Sequence, residues 1–253
     1  MKKVIDINCD MGECNNEDQF VREIELMPFI SSANISCGFH SGNSEFIRRV
    51  VSEAIEHRVV IGAHPSYPDK VGFGRRPMKF SKTELRELLR LQLEFLSEIL
   101  SPFEKKIPYL KPHGALYHSV MSGGSDAEAV LEAVQEHHSE MSVVGLPGTM
   151  FEEMANREGI RFLREGFADR KYQSDGTLVS RKNPDAVLTD PEDAVIQTML
   201  MVTQDKVRAE GSIISMKVDS ICLHSDNPSA IDIGSALRQA LSENSILVRS
   251  VFQ

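Results

Sequence analysis

Polar and ionisable side chains recur at the ends of one apolar stretch after another in this chain of 253 residues. They are Asn8, Asp10 and Glu13; Asn34, Ser36 and His40; His64; Lys111 and His113; Asp169 and Arg170; and His224, Asp226 and Asn227. Such groups are costly to place in an apolar core, so six strand ends that all carry them point to a shared polar pocket. Taken singly, each has a plain structural explanation. Asp10 could cap the next helix, His40 or His224 could bond a carbonyl in the core, and Lys111 could snorkel to the surface. Imidazole and carboxylate groups move protons near neutral pH, and they also hold divalent metals. The sequence contains no His-Glu-x-x-His or His-x-His pair and no Gly-x-Ser-x-Gly elbow, which weakens a metal or serine-hydrolase signature.

The loop after His64 carries a second constellation, Gly72-Phe-Gly-Arg-Arg76. Pro77 stands where a dinucleotide fingerprint needs its third glycine, and no Walker A sequence is present. Arg75 and Arg76 suit a two-pronged grip on a carboxylate or phosphate; a solvated charge pair is the alternative.

These residues need elements to hold them. Residues 3–10 alternate, with Val4, Asp6, Asn8 and Asp10 on one side and Ile5, Ile7 and Cys9 on the other. That pattern is a strand with a polar inner face. Further strands are expected at 33–40, from Val59 to His64, at 107–114, 142–146, 160–167, 218–224 and 246–251. Between them the apolar spacing predicts helices: 17–27, one capped by Asn43 or Ser44 and running to His57, and one opened by the capping box Ser81-Lys-Thr-Glu84. Others are expected from an Asp126 cap to His138, over 149–158, from Asp190-Pro191 to about Glu210, and over 228–243. Residues 173–189 show no helical pattern, and a loop that long is usually functional or a lid. Strands alternating with helices imply right-handed βαβ units and a parallel sheet. Seven or eight units in this length fit a single-domain β/α barrel, residues 1–253, whose strand C-termini meet at one mouth; an open doubly wound sheet is the runner-up.

Twenty-eight basic and 37 acidic residues give a formal charge of −9, which argues against a nucleic-acid or anionic-membrane surface. The four cysteines (Cys9, Cys14, Cys37, Cys222) form no Cys-x-x-Cys pair, as expected of free thiols in a reducing cytosol. Asp6, Asn8 and Asp10 interrupt any export signal after Met1-Lys-Lys, and no membrane-length apolar run exists. The expectation is a cytoplasmic protein; a homo-oligomer is compatible with it.

Six blocks resemble the LamB/YcsF family in order along the chain: Ile5–Glu13, Ser31–His40, Gly62–Asp69 with Gly72–Arg76, Lys111-Pro-His-Gly-Ala-Leu-Tyr117, Phe167–Arg170 and Asp219–Pro228. The resemblance implies a distorted β/α barrel related to glycoside hydrolases and deacetylases. It implies the role of the A subunit in ATP-dependent 5-oxoprolinase, working with subunits B and C. There 5-oxo-L-proline, ATP (with Mg2+) and water give L-glutamate, ADP and phosphate. The chain departs from the family pattern at Cys14-Asn-Asn-Glu17, at Ser41-Gly-Asn43 and at His224-Ser-Asp226; Asn43 is neutral and can only donate or accept hydrogen bonds.

On that reading the catalytic candidates are Asp10 or His64 as base for water, with Lys111 and His113 as oxyanion or proton donors. Arg75, Arg76 or Arg170 would grip the substrate anion, and Asn8, Glu13, Asn34, His40, Asp169, His224 and Asp226 would line the site. The chain carries no readable nucleotide motif, so ATP use would depend on the partners. Two other classes stay open: a metal-dependent amidohydrolase or deacetylase using Asp10, His40, His64 and His113, and a non-catalytic lactam-binding subunit.

Overall fold

The computed structural model describes residues 3–253. Among these, ten strands run β1 (Val4–Met11), β2 (Ser32–Ser36), β3 (Val60–His64), β4 (Tyr109–Leu110), β5 (Ser142–Gly145), β6 (Phe162–Phe167), β7 (Lys206–Ala209), β8 (Ser212–Ser215), β9 (Ser220–His224) and β10 (Leu247–Val248). The helices are α1 (Glu17–Ile24), α2 (Ser44–Glu56), α3 (Lys82–Leu100), α4 (Gly114–Met121), α5 (Ser125–His137), α6 (Met150–Arg157), α7 (Pro191–Gln204) and α8 (Ala230–Glu243). Strands β1 to β6 pair in sequence, and β9 pairs with both β6 and β1, so seven parallel strands close a barrel. The eighth, β10, lies beside only Val4 and Ile5, before β2 takes over that edge of β1 at Asn8. The barrel is therefore closed rather than an open doubly wound sheet.

The alternation in β1 has the expected consequence. Ile5, Ile7 and Cys9 are buried among the surrounding helices, while Asp6, Asn8 and Asp10 are buried within the polar interior. Asp6 accepts hydrogen bonds from the hydroxyls of Ser31, Ser32 and Ser220. Register sets the next layer, with Asp10 opposite Asn34 on β2 and His224 on β9, and Ser36 opposite His64. Gly62 makes room for the Tyr109 ring, since a Cβ there would stand 2.1 Å from it. The Tyr109 hydroxyl then reaches Asn34 Oδ1 at 2.9 Å.

The helices bury their apolar stripes on the barrel: Ile47, Val50, Val51 and Ala54 from α2, and Leu85, Leu89, Leu93 and Leu96 from α3. Each large aliphatic side chain so buried stabilises by roughly 1.5–3 kcal/mol relative to exposure. Gln92 is buried on the same stripe, where its amide clamps both the N–H and the C=O of Ser66, just past His64. The capping box at Ser81 and Glu84 and the Asp190-Pro191 start form as expected, and Thr149, expected within its helix, caps α6 instead. Asn43 caps α2, accepting from the N–H groups of Glu45 and Phe46 at 3.0 Å.

Several expectations need correction. Helix α4 follows His113 directly, where the sequence pattern predicts none. Helix α5 begins after Gly124, so Asp126 is not its cap; that carboxylate instead accepts from the hydroxyls of Tyr67 and Ser119. Helix α7 stops at Gln204, where Asp205 turns left-handed, and β7, the first strand of the antiparallel β7–β8 hairpin, fills the region expected to remain helical. The second and fourth strands are shorter than expected, because His40 and His113 lie on the loops beyond them.

Candidate active site

The strand C-termini open into a cavity of about 540 Å³. Lys111 lies at its base, and its Nζ stands 2.7 Å from Glu165 Oε1, 2.9 Å from Asp10 Oδ1 and 3.2 Å from both Asn8 Oδ1 and Cys222 Sγ. Burial alone would lower this ammonium's pKa, but Asp10, Cys222 and Glu165 outweigh it and hold the pKa well above the usual lysine range. Its three N–H donors are all engaged by protein groups. Lys111 thus fixes the charge beneath the site and offers no free donor to a substrate.

Asp10 uses Oδ1 for Lys111 and for the Asn34 amide, 2.7 Å away. Its Oδ2 faces His64 Nε2 at 3.2 Å. Burial would raise this carboxyl's pKa; His64 and Lys111 reverse that and carry it well below the usual value. Two backbone carbonyls orient the neighbouring imidazoles. His64 Nδ1 donates to the Lys111 carbonyl at 2.7 Å, and His113 Nε2 donates to the Phe73 carbonyl at 2.9 Å. His64 Nε2 and His113 Nδ1 are thereby turned toward each other, 3.0 Å apart, with the rings at 89°. Gly74 allows this loop to close over His113, because a Cβ there would lie 2.9 Å from both the His113 ring and His40 Cβ. Its φ of +64° also suits glycine.

Glu13 Oε1 lies 2.9 Å from His40 Nε2 and 3.2 Å from His113 Nδ1. Against the cost of burial, these histidines depress its pKa strongly. Burial and the neighbouring His113 lower His40 to about 4, and the His40 ring stacks on His113 at 3.9 Å. Two of the groupings able to hold a cation are Asp10, His64 and His113, and Glu13, His40 and His113.

The opposite wall carries a different set. Asp169 Oδ1 accepts from His224 Nδ1 at 2.8 Å, while its Oδ2 accepts from the Asn227 amide at 3.1 Å. Arg170 is buried with only the Val179 carbonyl on Nη2, and its Nε has no partner. Burial and then Arg181 pull its pKa down to about 10. At the rim, Arg75 and Arg181 share Asp226, at 2.7 and 2.9 Å.

Most of the residues expected in the site therefore meet in and around one cavity. Asp10, Glu13, His64, Arg75, Lys111, His113, Arg170, His224 and Asp226 line it, while Asn8, Asn34, His40 and Asp169 support the lining from behind. Arg76 is the exception, turning away to pair with Asp69 outside the cavity. Sequence reasoning missed Glu165, which also accepts from Tyr117 at 3.1 Å; its signal was a carboxylate two residues before the end of the expected strand at Phe167. Arg181 was missed within the long loop. Glu23 was missed on α1, where it accepts from the N–H groups of Gly12 (2.6 Å) and Glu13 (3.1 Å) and so seats the Glu13 loop. Burial, then the charge of Glu13, raises the Glu23 carboxyl to about 8.

A closed parallel barrel with its titratable groups gathered at the strand C-termini defines a β/α-barrel protein of the kind that does its chemistry at that face. Residues 5–253 match the LamB/YcsF family, and the chain belongs to it. It is 37% identical over 251 residues to the A subunit of 5-oxoprolinase from Bordetella parapertussis, covering 99% of this chain and 100% of that one. It is 38% identical over 245 residues to the A subunit of 5-oxoprolinase from Pyrococcus furiosus, covering 96% of each. The crystal structure of a lactam utilization protein from Thermus thermophilus superposes with a TM-score of 0.89 at 36% identity, covering 97% of this chain and 99% of that one. A xylanase Xyl-CE4 domain from the hindgut metagenome of Trinervitermes trinervoides shares the fold alone, with a TM-score of 0.53 at 9% identity, covering 100% of this chain and 89% of that one. Among the described residues, no helix is long and apolar enough to cross a membrane.

Proposed function

We propose that this chain is the A subunit of an ATP-dependent 5-oxoprolinase that opens 5-oxo-L-proline to L-glutamate together with subunits B and C. The observation that carries this reading is the end-to-end match to relatives bearing that name. The pocket chemistry is compatible with it. An unactivated lactam is a poor electrophile, so ATP, with Mg2+, would transfer its γ-phosphoryl group to the lactam oxygen. Water then adds to the ring carbon, and the C–N bond breaks as the ring nitrogen takes up a proton. This leaves an acyl phosphate, and a second water releases phosphate and glutamate. The balance is one ATP and two waters for one glutamate, one ADP and one phosphate.

In this scheme the wall of Asp10, His64 and His113 faces the attacking water. Arg170, whose Nε has no internal partner, takes the substrate carboxylate, with Arg75 and Arg181 at the rim for the phosphoryl oxygens. His224, oriented by Asp169, donates the proton to the leaving nitrogen. Lys111 holds Asp10 ionised from below. Nucleotide binding falls to the partners, since the chain has no phosphate-loop sequence.

The test is release of glutamate and ADP from 5-oxoproline plus ATP, by this chain alone and with B and C added. Turnover only in the three-component mixture is expected. A mixture that binds 5-oxoproline but never turns it over would favour the non-catalytic alternative.

A further inference from the structure

We infer that Asp10, His64 and His113 form a binding site for one divalent transition-metal ion. The first argument is lone-pair direction. Carbonyl oxygens can only accept, so the bonds to the Lys111 and Phe73 carbonyls place a proton on His64 Nδ1 and on His113 Nε2. In the neutral imidazoles the remaining lone pairs, on His64 Nε2 and His113 Nδ1, then point at each other across 3.0 Å. Asp10 Oδ2, the oxygen not used by Lys111, stands 3.2 Å from the same His64 nitrogen. Donors bound at ~2.1 Å to one ion, with angles between 90° and tetrahedral, lie ~3.0–3.4 Å apart, and both separations fall in that range. Each histidine also has the backbone-anchored outer nitrogen that metal-bound imidazoles need for orientation.

Charge supplies a second argument. Asp10 and Glu165 flank one permanent cation, Lys111, and Glu13 meets only His40, His64 and His113, so with the histidines neutral, as ion binding requires, the floor is two positive charges short. A divalent ion restores the balance. The grouping of Glu13, His40 and His113 fits less well. The His40 and His113 rings stack nearly parallel at 9°, so their in-plane lone pairs run side by side and do not converge. Two imidazoles and a carboxylate favour zinc, cobalt, iron or manganese over magnesium or calcium. When bound, the ion would make a water beside the pocket a better nucleophile.

This inference sharpens the proposed lactam-opening role but does not depend on it, and ion binding is read without turnover. The full chain, stripped with chelator and dialysed, is titrated with Co2+ and with Zn2+ by calorimetry, and Co2+ ligand-field bands are followed in the visible. One ion per chain and bands distinct from those of aqueous Co2+ are expected. His113→Gln and Asp10→Asn should each weaken binding ~100-fold or more, since losing even an outer-shell partner costs ~10–100-fold. His57→Gln, at the exposed end of α2, should leave it unchanged. Circular dichroism reports which variants are folded, and the wild-type titration decides if none are. No saturable uptake by the wild type, or equal uptake by folded Asp10→Asn and His113→Gln proteins, overturns the assignment. Stoichiometric binding with no glutamate release under any partner combination would sink the lactam reading and leave the ion site standing. Glutamate release by a chain that binds neither ion would do the reverse.

Discussion

Replacing Lys111 by methionine tests the floor of the pocket most directly. Methionine keeps the length and flexibility of the stem and leaves little cavity, so the change removes chiefly a charge. The ammonium now sits 2.9 Å from Asp10 and 2.7 Å from Glu165, and Lys111 and Glu165 are almost wholly buried. Removing one partner of a buried ion pair costs ~3–5 kcal/mol, because the carboxylate left behind has no counter-charge. Here two carboxylates are left, so the upper half of that range is expected. For a chain of this size ~1 kcal/mol moves the melting temperature by ~2–4 °C, which gives a drop of roughly 8–20 °C. Glu165→Gln on the Lys111→Met background removes one of the stranded charges and should recover part of the loss. The two changes should therefore couple by ~1–3 kcal/mol, as expected of residues in one network. Urea unfolding of the wild type, both single variants and the double variant measures this, provided the m-values agree. A Lys111→Met protein within ~0.5 kcal/mol of the wild type, the usual range for surface changes, or strictly additive variants, would refute the picture of a lysine balancing two buried acids.

Other expectations follow from the remaining contacts. Arg170→Met should raise KM for 5-oxoproline ~10–100-fold with a smaller change in kcat, since a charge-assisted grip on the substrate is worth ~1.5–3 kcal/mol in binding; an unchanged KM would remove Arg170 from the anion site. Arg76→Ala should keep kcat/KM within ~2-fold, because the side chain pairs with Asp69 outside the cavity; a large loss would mean that the loop swings inward on binding. Glu23 gives a pH signature. Its folded pKa of about 8 lies above the ordinary glutamate value of 4.5, so its contribution to stability is complete below pH ~4.5 and is lost as pH rises through ~8. Stability should fall by a few kcal/mol across that window, because each pH step between the two values is worth ~1.36 kcal/mol. Urea titrations of Glu23→Gln should show a flatter profile there, and parallel profiles would contradict the assignment.

Much of this site was legible because β1 announces itself. The alternation from Val4 to Asp10 puts carboxylate and amide groups on one face, and a buried polar face in a parallel strand needs partners on neighbouring strands. Asn34, Lys111 and His224 answered that need, each at or near the end of its own apolar run. What the pattern could not convey is which end group meets which, since that depends on register and on loops. Arg75 and Arg76 are adjacent in sequence, yet one reaches Asp226 at the mouth and the other bends back to Asp69. Helix α4 escaped notice for a different reason. Five of its eight residues are buried and its sequence is mostly apolar, so no amphipathic stripe marks it, and no side chain caps its start. Nothing local marks Glu165 as inward-facing, because Arg164 beside it is equally charged on the same strand. Its inward placement makes sense only once Lys111 is known to lie opposite, a relation between β4 and β6 across more than fifty residues of sequence. Side chains with short-range causes, such as the Ser81 capping box or the Asn43 cap, can be read from spacing. Buried charges cannot be read so locally, because each is tolerated only through a counter-charge that the closed barrel brings to it.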